Sequence, residues 1–358
     1  MKECILIPAH NEEVVLQTTL NSLYEEGFNP AHIYCVDDFS TDDTYNICVA
    51  NKVNICKTPT NLGKACAQEY AIKHFKLCDK YKHVIMMDAD TKVDKNFRDT
   101  VLINLMIYSN VDLFVGQVIS SNANHIYSAY RAIEYTFSHE IIKRGQDNFG
   151  VIYVAPGCVS IYSTAILRYL SFDSSILTED MDFTIQVHRL GGKIKYLHDV
   201  KVITQDPCNL KDYHQQMLRW SRGFWQVVSK YCHVLMRPKK VDLYLLYVVL
   251  YSLVFNRVTI LAISLFVLSS IAILLALFID ICIFALIGLY TSYKTKRNDL
   301  MYRLPVLYFL SFFNTYVYIR SFFEIIIFGK KKIHWNKVSR YGEDDEEVHV
   351  SSTGYVNT

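Results

Sequence analysis

The chain has 358 residues, of which 51% are hydrophobic and 20% charged, and its formal net charge is 37 − 35 = +2. This composition excludes an intrinsically disordered protein, which needs few apolar residues and a large net charge. The small net charge, without a long basic or acidic tail, argues against a nucleic-acid partner.

The first 235 residues or so contain short apolar runs that alternate with helical patterns, as is typical of an α/β fold. We predict strands at 5–8, 33–36, 53–56 and 84–87, separated by helices at 12–26, from about 40 to 48, and at 62–75. Ser40 or Thr41 is expected to cap the second helix. This alternation predicts a largely parallel sheet with right-handed crossovers, in which ligands bind at the carboxyl ends of the strands.

The composition becomes strongly apolar after Pro238. Val258–Ile279 contains 22 residues without a charge, and a helix of that length, about 33 Å, is enough to cross a hydrocarbon core of ~30 Å. Further uncharged runs cover 243–256, 281–293 and 304–319. We therefore predict membrane insertion, with two spans between Leu243 and Tyr293.

The charges around these runs predict the topology. A cluster of Lys and Arg follows the second run, and positive loops stay inside, so this loop is expected in the cytosol beside the N-terminal domain. The last run leaves two alternatives open. It crosses the membrane once more, or, as Arg320 and Glu324 favour, residues 321–328 lie in the interface. The predicted domains are a cytosolic α/β domain at 1–235, a membrane region with two or three spans at 236–340, and a disordered tail at 341–358.

Ten cysteines are present, without a CxxC pair or the Cys/His spacing of a zinc site. We predict reduced thiols that face the cytosol. The first residues lead straight into an apolar strand pattern, so we expect no signal peptide.

Acidic side chains follow two of the predicted strands. Asp88-Ala89-Asp90 ends the fourth strand, and two carboxylates in a turn are ligands that Mg²⁺ and Mn²⁺ accept together with phosphate oxygens. Asp37-Asp38 ends the second strand, where a carboxylate can accept a hydrogen bond from a ribose hydroxyl or a base N–H. The alternatives are a solvated acidic turn for the first pair and helix capping for the second.

Asn61-Leu62-Gly63-Lys64 stands at the start of the third predicted helix. Glycine permits close approach of a ligand to the backbone, and a lysine there can meet a phosphate. An ordinary surface turn is the alternative.

Thr178-Glu179-Asp180 precedes an amphipathic segment. A carboxylate at a reacting centre can take the proton from an attacking hydroxyl. The alternative is a capping box, which is imperfect because Met181 stands where Glu is expected.

Gln216, Arg219 and Trp220 project from one face of a helical stretch because residues three and four apart are neighbours on a helix. Arg offers paired bonds to phosphate, Trp a flat apolar wall and Gln an orienting amide. The alternative is an amphipathic helix that Trp and Arg anchor at the membrane surface. Such a helix could also bind a phosphate group through the same side chains.

The order of the motifs is more specific than any one of them. Between about residue 3 and residue 340 the chain resembles the family-2 inverting glycosyltransferases, in particular the membrane-bound processive type: hyaluronan, chitin, cellulose and poly-N-acetylglucosamine synthases. The resemblance rests on Pro8-Ala9-His10-Asn11-Glu12, the two acidic strand ends, Asn61 to Lys64, Gly157, Thr178 to Asp180, the Gln216-x-x-Arg219-Trp220 motif and the membrane segments. It implies the GT-A fold, a Rossmann-like mixed sheet with helices on both faces, followed by C-terminal transmembrane or interfacial helices.

The resemblance also implies roles for the motif residues. Pro8, Glu12, Asp37 and Asp38 would hold the uridine of a UDP-sugar, and Lys64 would lie near the nucleotide. Asp88 and Asp90 would bind the sugar and diphosphate through Mg²⁺ or Mn²⁺. Asp180, next to Glu179, would be the general base on the acceptor hydroxyl. Gln216, Arg219 and Trp220 would clamp the diphosphate and line the acceptor path.

Two enzymatic functions stay open. The first is extension of a β-linked polysaccharide, from UDP-N-acetylglucosamine or a related donor. The second is transfer of one sugar to a lipid acceptor. We find few C-terminal spans for an export channel, so polymer export would need a homo-oligomer or a partner. A third possibility is a membrane scaffold with a degenerate catalytic domain, but every expected acidic position is filled.

Overall fold

The computed structural model describes residues 2–120, 125–231, 238–254, 270–330, 339 and 341. The chain forms two compact units. The first comprises residues 1–121, 143–205 and 339–358, and the second comprises residues 122–142 and 206–338. The predicted domain boundaries at 235 and 340 remain predictions.

Eight strands form one sheet in the first unit. They are β1 (Glu3–Ala9), β2 (Ile33–Asp37), β3 (Asn54–Lys57), β4 (His83–Met86), β5 (Thr91–Val93), β6 (Leu113–Ser120), β7 (Ser160–Ser163) and β8 (Ile194–Thr204). Their order in the sheet is β3-β2-β1-β4-β7-β6-β8-β5.

Thirteen α-helices are described. They are α1 (Glu13–Glu25), α2 (Thr44–Ala50), α3 (Lys64–His74), α4 (Leu77–Lys80), α5 (Phe97–Ile107), α6 (Ile126–Phe137), α7 (Arg144–Phe149), α8 (Thr164–Leu167), α9 (Glu179–Leu190), α10 (Leu210–Tyr231), α11 (Lys240–Val254), α12 (Ser270–Thr295) and α13 (Asp299–Phe322). A 3₁₀ turn covers Pro30–His32, and π-helical turns cover Ser138–Lys143 and Phe323–Ile327.

The four predicted strands and the helices between them are confirmed, and β1 to β4 pair in parallel. All seven residues of β1 are buried, which is expected for a central parallel strand covered on both faces. The rest of the sheet is mixed, because β7 runs antiparallel to both β4 and β6. The predicted α/β class is therefore correct, and the mixed sheet agrees with the fold that the resemblance implies.

The predicted cap of α2 is wrong. The helix begins at Thr44, after Asp43, and no side-chain cap is formed. The two side chains expected to cap it contact the loop that follows β1: Ser40 Oγ accepts a hydrogen bond from Asn11 N at 2.9 Å, and Thr41 Oγ1 lies 3.3 Å from Asn11 Oδ1. Their hydroxyls join two strand ends instead of capping a helix.

One face of the sheet packs against α3 and α9. Alternate residues of the central strands, such as Leu6, Val36 and Met86, point to this core because side chains of a strand alternate between its faces. The helix α3 contributes alanines, which let it lie close to the sheet, and α9 contributes Phe183 and Val187. The core thus fixes the first residues of α3 and α9 above the carboxyl ends of β1, β2 and β4.

The second unit contains α6 and α10 to α13. Within the part of the chain that the structure describes, one helical stretch is long and apolar enough to cross a membrane: Leu274–Thr295, with a mean hydropathy of 2.4. Only 17% of its most apolar window is buried inside the protein. This supports a membrane-spanning helix, while the number of spans remains a prediction.

The uncharged runs on either side of Asp280 belong to one helix where they are described, because α12 continues through this residue. The helix accommodates the carboxylate because the Tyr308 hydroxyl of α13 donates a hydrogen bond of 2.7 Å to Asp280 Oδ2, and a buried polar group costs less when it is bonded. Much of the predicted first span, residues 255–269, lies outside the described residues, as does most of the tail.

Gly116 lies where the pairing of β6 with β8 shifts between Val115 and Gln117. A Cβ atom here would lie 2.5 Å from Val159 Cγ2 and 3.0 Å from Val200 O. We expect Gly116→Ala to destabilise the first unit by about 1–3 kcal/mol through overpacking, measured as a lower thermal unfolding temperature. Gly145→Ala is the control, since nothing lies within 4 Å of its added methyl group. Equal unfolding temperatures for Gly116→Ala and the wild type would contradict this packing.

Candidate active site

The loops that follow β1 and β2 are bonded to each other. Asp38 N donates to Ala9 O at 2.7 Å, and Glu12 N donates to Thr44 Oγ1 at 2.8 Å. Asp37 is completely buried, where it accepts a hydrogen bond from Ser40 N at 2.8 Å and pairs with Lys57 Nζ at 3.0 Å. Pro8 and Glu12 are also buried. These contacts give the predicted nucleotide-binding loops one fixed shape.

Asp38 determines how α3 begins. Its Oδ1 atom accepts hydrogen bonds from Leu62 N at 2.8 Å and Thr58 Oγ1 at 2.9 Å, and its Oδ2 atom accepts one from Gly63 N at 2.8 Å. Gly63 has a φ of 79°, in the left-handed region that favours glycine. Both carboxylate oxygens of Asp38 are therefore engaged by the loop that leads to Lys64.

Lys64 joins two of the predicted site carboxylates. Its Nζ atom lies 2.6 Å from Asp88 Oδ1 and 2.8 Å from Glu179 Oε1. Burial opposes the charged form, but Asp88, Glu179 and Asp180 outweigh this effect and raise the pKa of Lys64. The ammonium therefore stays charged and holds the start of α3, the end of β4 and the start of α9 together.

The two carboxylates at the start of α9 have different surroundings. Glu179 is 7% exposed and pairs with Lys64. Asp180 is half-buried and accepts hydrogen bonds from Gly157 N at 3.2 Å and from its own neighbour, Met181 N, at 2.8 Å. Neighbouring carboxylates in unlike environments are suited to different roles.

The structure does not contain the capping box that was the alternative interpretation of Thr178-Glu179-Asp180. Thr178 stands at the N-cap of α9, but its side chain makes no cap hydrogen bond, and its buried Oγ1 atom has no hydrogen-bond partner among the residues that the structure describes. The acidic residues after it are thus not explained by a capping box.

Cys158 lies near three of the predicted acidic site residues, Asp88, Asp90 and Asp180. Burial raises the pKa of this thiol well above its usual range, and the nearby Asp88 and Asp90 raise it further, as does Asp180. The predicted metal ligands and the predicted base are therefore close enough to act on the same buried thiol. The sequence analysis did not identify Cys158, although it directly follows Gly157 of the motif series.

Asp88 and Asp90 fit a divalent cation only together with a ligand. Among the described residues no group of three or more His, Cys, Asp or Glu side chains is placed to hold a metal ion. Mg²⁺ is commonly held by one or two carboxylates, with water and substrate phosphate oxygens as the other ligands. A pair of carboxylates with a lysine beside one of them, Lys64 Nζ at 2.6 Å from Asp88 Oδ1, is compatible with that ligand set.

The Gln216-x-x-Arg219-Trp220 motif lies on α10, in the second unit. Gln216 Oε1 accepts a hydrogen bond of 2.5 Å from Arg131 Nη2, and the Arg131 guanidinium lies 4.4 Å from the centroid of the Trp220 ring. Arg219 is half-buried on the same helix. The structure thus groups Lys64, Asp88, Asp90, Glu179 and Asp180 in the first unit and groups Gln216 with Trp220 in the second.

Two charged residues of these surroundings were not predicted. Arg131 could have been noticed because Glu134 follows three residues later, on the same face of the helix. Lys143 is 5% exposed, and its Nζ atom donates to Val154 O at 2.6 Å. Burial lowers the pKa of Lys143 to about 8, although the nearby Asp180 acts in the opposite direction.

The lowered pKa of Lys143 predicts a pH dependence of stability. The protonated form is penalised in the folded state below pH 8, and the penalty disappears as the pH rises from about 8 toward the usual 10.5. The unfolded chain then holds more protons than the folded one, so stability rises with pH, by up to about 3 kcal/mol. We expect the unfolding temperature of the wild type to rise relative to Lys143→Met between pH 7 and about pH 9.5.

The control for this measurement is Lys73→Met, because the Lys73 side chain is 72% exposed. If the difference in unfolding temperature between the wild type and Lys73→Met changed as steeply with pH, the effect would come from removing any lysine. A difference between wild type and Lys143→Met that does not change with pH would contradict the burial effect.

Comparisons with known proteins agree with this site. The family model described as "Glycosyltransferase like family 2" matches residues 4–223. The poly-beta-1,6-N-acetyl-D-glucosamine synthases of Staphylococcus epidermidis and Staphylococcus aureus (strain COL) are 25% and 26% identical to the chain over 246 residues, which is 67% of this chain and 59% of each relative. The chain therefore spans about 59% of the length of these curated relatives.

Among solved structures, the mannosyltransferase PcManGT from Pyrobaculum calidifontis in complex with GDP-Man and Mn²⁺ has a TM-score of 0.58 at 16% identity, over 85% of this chain and 86% of that chain. This likeness concerns the fold and supports the GT-A-like architecture. The family model covers more than half of the chain, including every motif from Pro8 to Trp220. The chain belongs to glycosyltransferase family 2.

Proposed function

We propose that the protein is a membrane-bound inverting glycosyltransferase that transfers a sugar from a UDP-sugar, UDP-N-acetylglucosamine or a related donor, to the hydroxyl of a growing β-linked polysaccharide. The observation that carries this proposal is the cluster of Asp88, Glu179 and Asp180 around Lys64. The similarity to poly-beta-1,6-N-acetyl-D-glucosamine synthases supports the choice of donor and product.

Asp180 is the proposed general base. Glu179 is already paired with Lys64 at 2.8 Å, so its carboxylate is engaged by another side chain of the protein. Asp180 accepts hydrogen bonds from backbone amides, which hold its carboxylate in one orientation. A base on the acceptor side of the anomeric carbon leads to a single displacement, which converts an α-linked donor into a β-linked product.

Asp88 and Asp90 are the proposed ligands of Mg²⁺ or Mn²⁺, together with the donor diphosphate. A bound divalent cation would neutralise the charge that develops on the leaving diphosphate. Lys64 adds a protein-borne positive charge next to Asp88, at 2.6 Å. The leaving group would thus meet a fixed cationic environment that needs no rearrangement during the reaction.

The remaining predicted residues bind the donor and acceptor in this proposal. Pro8, Glu12, Asp37 and Asp38 form the wall of the uridine pocket. The carboxylates of Asp37 and Asp38 act mainly by shaping the loops, since both already accept hydrogen bonds from the chain. Gln216, Arg219 and Trp220 contact the diphosphate and line the acceptor path.

We place the catalytic unit on the cytosolic side of a multi-pass membrane protein. The candidate span Leu274–Thr295 supports membrane insertion, and the lysines and arginines that follow it favour the cytosolic side for that end. Release of a long polymer would require a homo-oligomer or an export partner.

The deciding experiment incubates membranes containing the protein with a panel of labelled UDP-sugars and Mg²⁺ or Mn²⁺ and then measures product size. A ladder of long β-linked products from one UDP-sugar is expected. A product with one sugar per lipid molecule would overturn the proposed polysaccharide extension and would establish transfer to a lipid acceptor. No transfer from any donor on the panel would overturn the proposed enzyme function.

Asp180→Asn tests the base. We expect transfer to fall by about 10²-fold or more, because the amide cannot take the proton from the acceptor hydroxyl. UDP binding is expected to stay close to that of the wild type. Asp182→Asn is the matched control on the same helical turn, where the side chain accepts a hydrogen bond from Gln186. Normal turnover by Asp180→Asn would contradict the role of Asp180.

Asp90→Ala tests the cation site. We expect UDP affinity in the presence of Mn²⁺ to fall about tenfold or more, since one of two carboxylate ligands is lost, and to change little in the presence of a chelator. Asp94→Ala, four residues further along, serves as the control for loss of an acidic side chain. Unchanged Mn²⁺-dependent affinity would count against Asp90 as a ligand.

A further inference from the structure

Arg131 is a charged residue with almost no access to solvent. It lies on α6 in the second unit and is 1% exposed. Its guanidinium lies between two aromatic rings of α10, 4.4 Å from the centroid of Trp220 and 4.9 Å from that of Tyr213. A buried charge is costly unless it is paired and hydrogen-bonded, so its retention calls for an explanation.

Its partners form a closed network. Glu134, one turn further along α6, pairs with Arg131 Nη1 at 2.5 Å. Glu134 also accepts a hydrogen bond of 3.2 Å from Asn314 of α13, and Asn314 Oδ1 accepts one of 2.8 Å from the Tyr213 hydroxyl. Three helices therefore hold the guanidinium in one position.

This position fixes the amide of Gln216. Arginine has only donors, and Arg131 Nη2 lies 2.5 Å from Gln216 Oε1. The amide oxygen must then face Arg131, and the two N–H donors of Gln216 face away from it. A side chain held in this way presents donors, which suit phosphate oxygens, and not an acceptor.

The same guanidinium restricts Trp220. A cation over the face of an indole ring is attracted by the ring electrons, and at 4.4 Å it covers that face. A sugar can therefore stack only on the opposite face. Arg131 thus sets the orientation of two residues of the motif on α10 without being part of that motif.

We infer that Arg131 is a positioning residue for sugar transfer, which turns the N–H donors of Gln216 and one face of Trp220 toward the substrate. This inference rests on the proposed function of those two residues.

The test is a double-mutant comparison. Lysine keeps the charge of Arg131 but not its planar fork, so Arg131→Lys is expected to lower the kcat/KM for transfer by about tenfold or more. In a Gln216→Ala/Trp220→Ala background, the same substitution is expected to change the remaining kcat/KM by less than about twofold. An equal further loss in that background would overturn the inference, because Arg131 would then act independently of both residues.

Arg222→Lys is the matched control. Arg222 lies on α10, is mostly buried and pairs with Glu324 at 2.6 Å, but it has no place in the proposed site. Transfer by this variant should stay within about threefold of the wild type. A loss as large as that of Arg131→Lys would show a general need for arginine in this unit and would overturn the inference.

Gln216→Glu keeps the test decisive if Arg131→Lys does not fold. A carboxylate can pair with Arg131 by both oxygens, so the unfolding temperature should be maintained or raised. The N–H donors are lost, so transfer is expected to fall about tenfold or more. Full activity of this variant would overturn the inference.

A measurement independent of turnover separates this inference from the proposed function. In a chain whose only tryptophan is Trp220 (Trp225→Phe, Trp335→Phe), Arg131→Lys should change acrylamide quenching of the fluorescence, because the cation on one ring face is displaced. If no UDP-sugar is transferred but quenching changes, the proposed function fails and the contact stands. Unchanged quenching would overturn the positioning role itself.

Discussion

The candidate site depends on one lysine that is shared by two carboxylates. Several acidic side chains close together repel one another, and partial burial makes each charge more costly. Lys64 relieves both effects, since its ammonium contacts Asp88 and Glu179 and is also stabilised by the charge of Asp180. Without this cation the end of β4 and the start of α9 would carry only negative charges at a short distance. The electrostatic balance is thus part of what holds the fold together at this edge of the sheet.

The hydrogen bonds of Asp38 explain how Lys64 is held between Asp88 and Glu179. The carboxylate is 4% exposed and is bonded to the loop that begins α3. A side chain at the end of one strand therefore determines the position of a residue 26 positions later. Ser40 and Thr44 also fix a loop that is distant in sequence, because their hydroxyls accept hydrogen bonds from the loop after β1. Buried polar groups fix these loops because leaving any of them unbonded would be costly.

Much of the first half of the sheet could be predicted from the sequence. Central parallel strands are nearly continuous apolar runs, so β1, β2 and β4 could be predicted, and the edge strand β3 was recognised from its short apolar run between helical patterns. The acidic residues at the ends of β2 and β4 marked the candidate functional edge. The strands from β5 onward were not predicted. β5 has only three residues, and β6 is interrupted by Gly116, where the pairing with β8 shifts. The continuity of α12 through Asp280 could not be predicted, because the residue that bonds its carboxylate, Tyr308, is 28 residues away in sequence. Single residues such as Lys143 and Cys158 carry no pattern, and only the folded chain identifies their neighbours and the aromatic neighbours of Arg131.

Gly157 has a consequence for how glycines in this chain are interpreted. Its φ does not lie in the left-handed region, so its backbone would accept a side chain, yet a Cβ atom would lie 2.6 Å from Lys64 Nζ. A methyl group at position 157 would take the space that the Lys64 ammonium occupies, so the residue at this turn is coupled to a charge carried by α3. Reshaping a pocket of this kind by design would mean choosing positions 64 and 157 as a pair, because a change of volume at one is a change of electrostatics at the other.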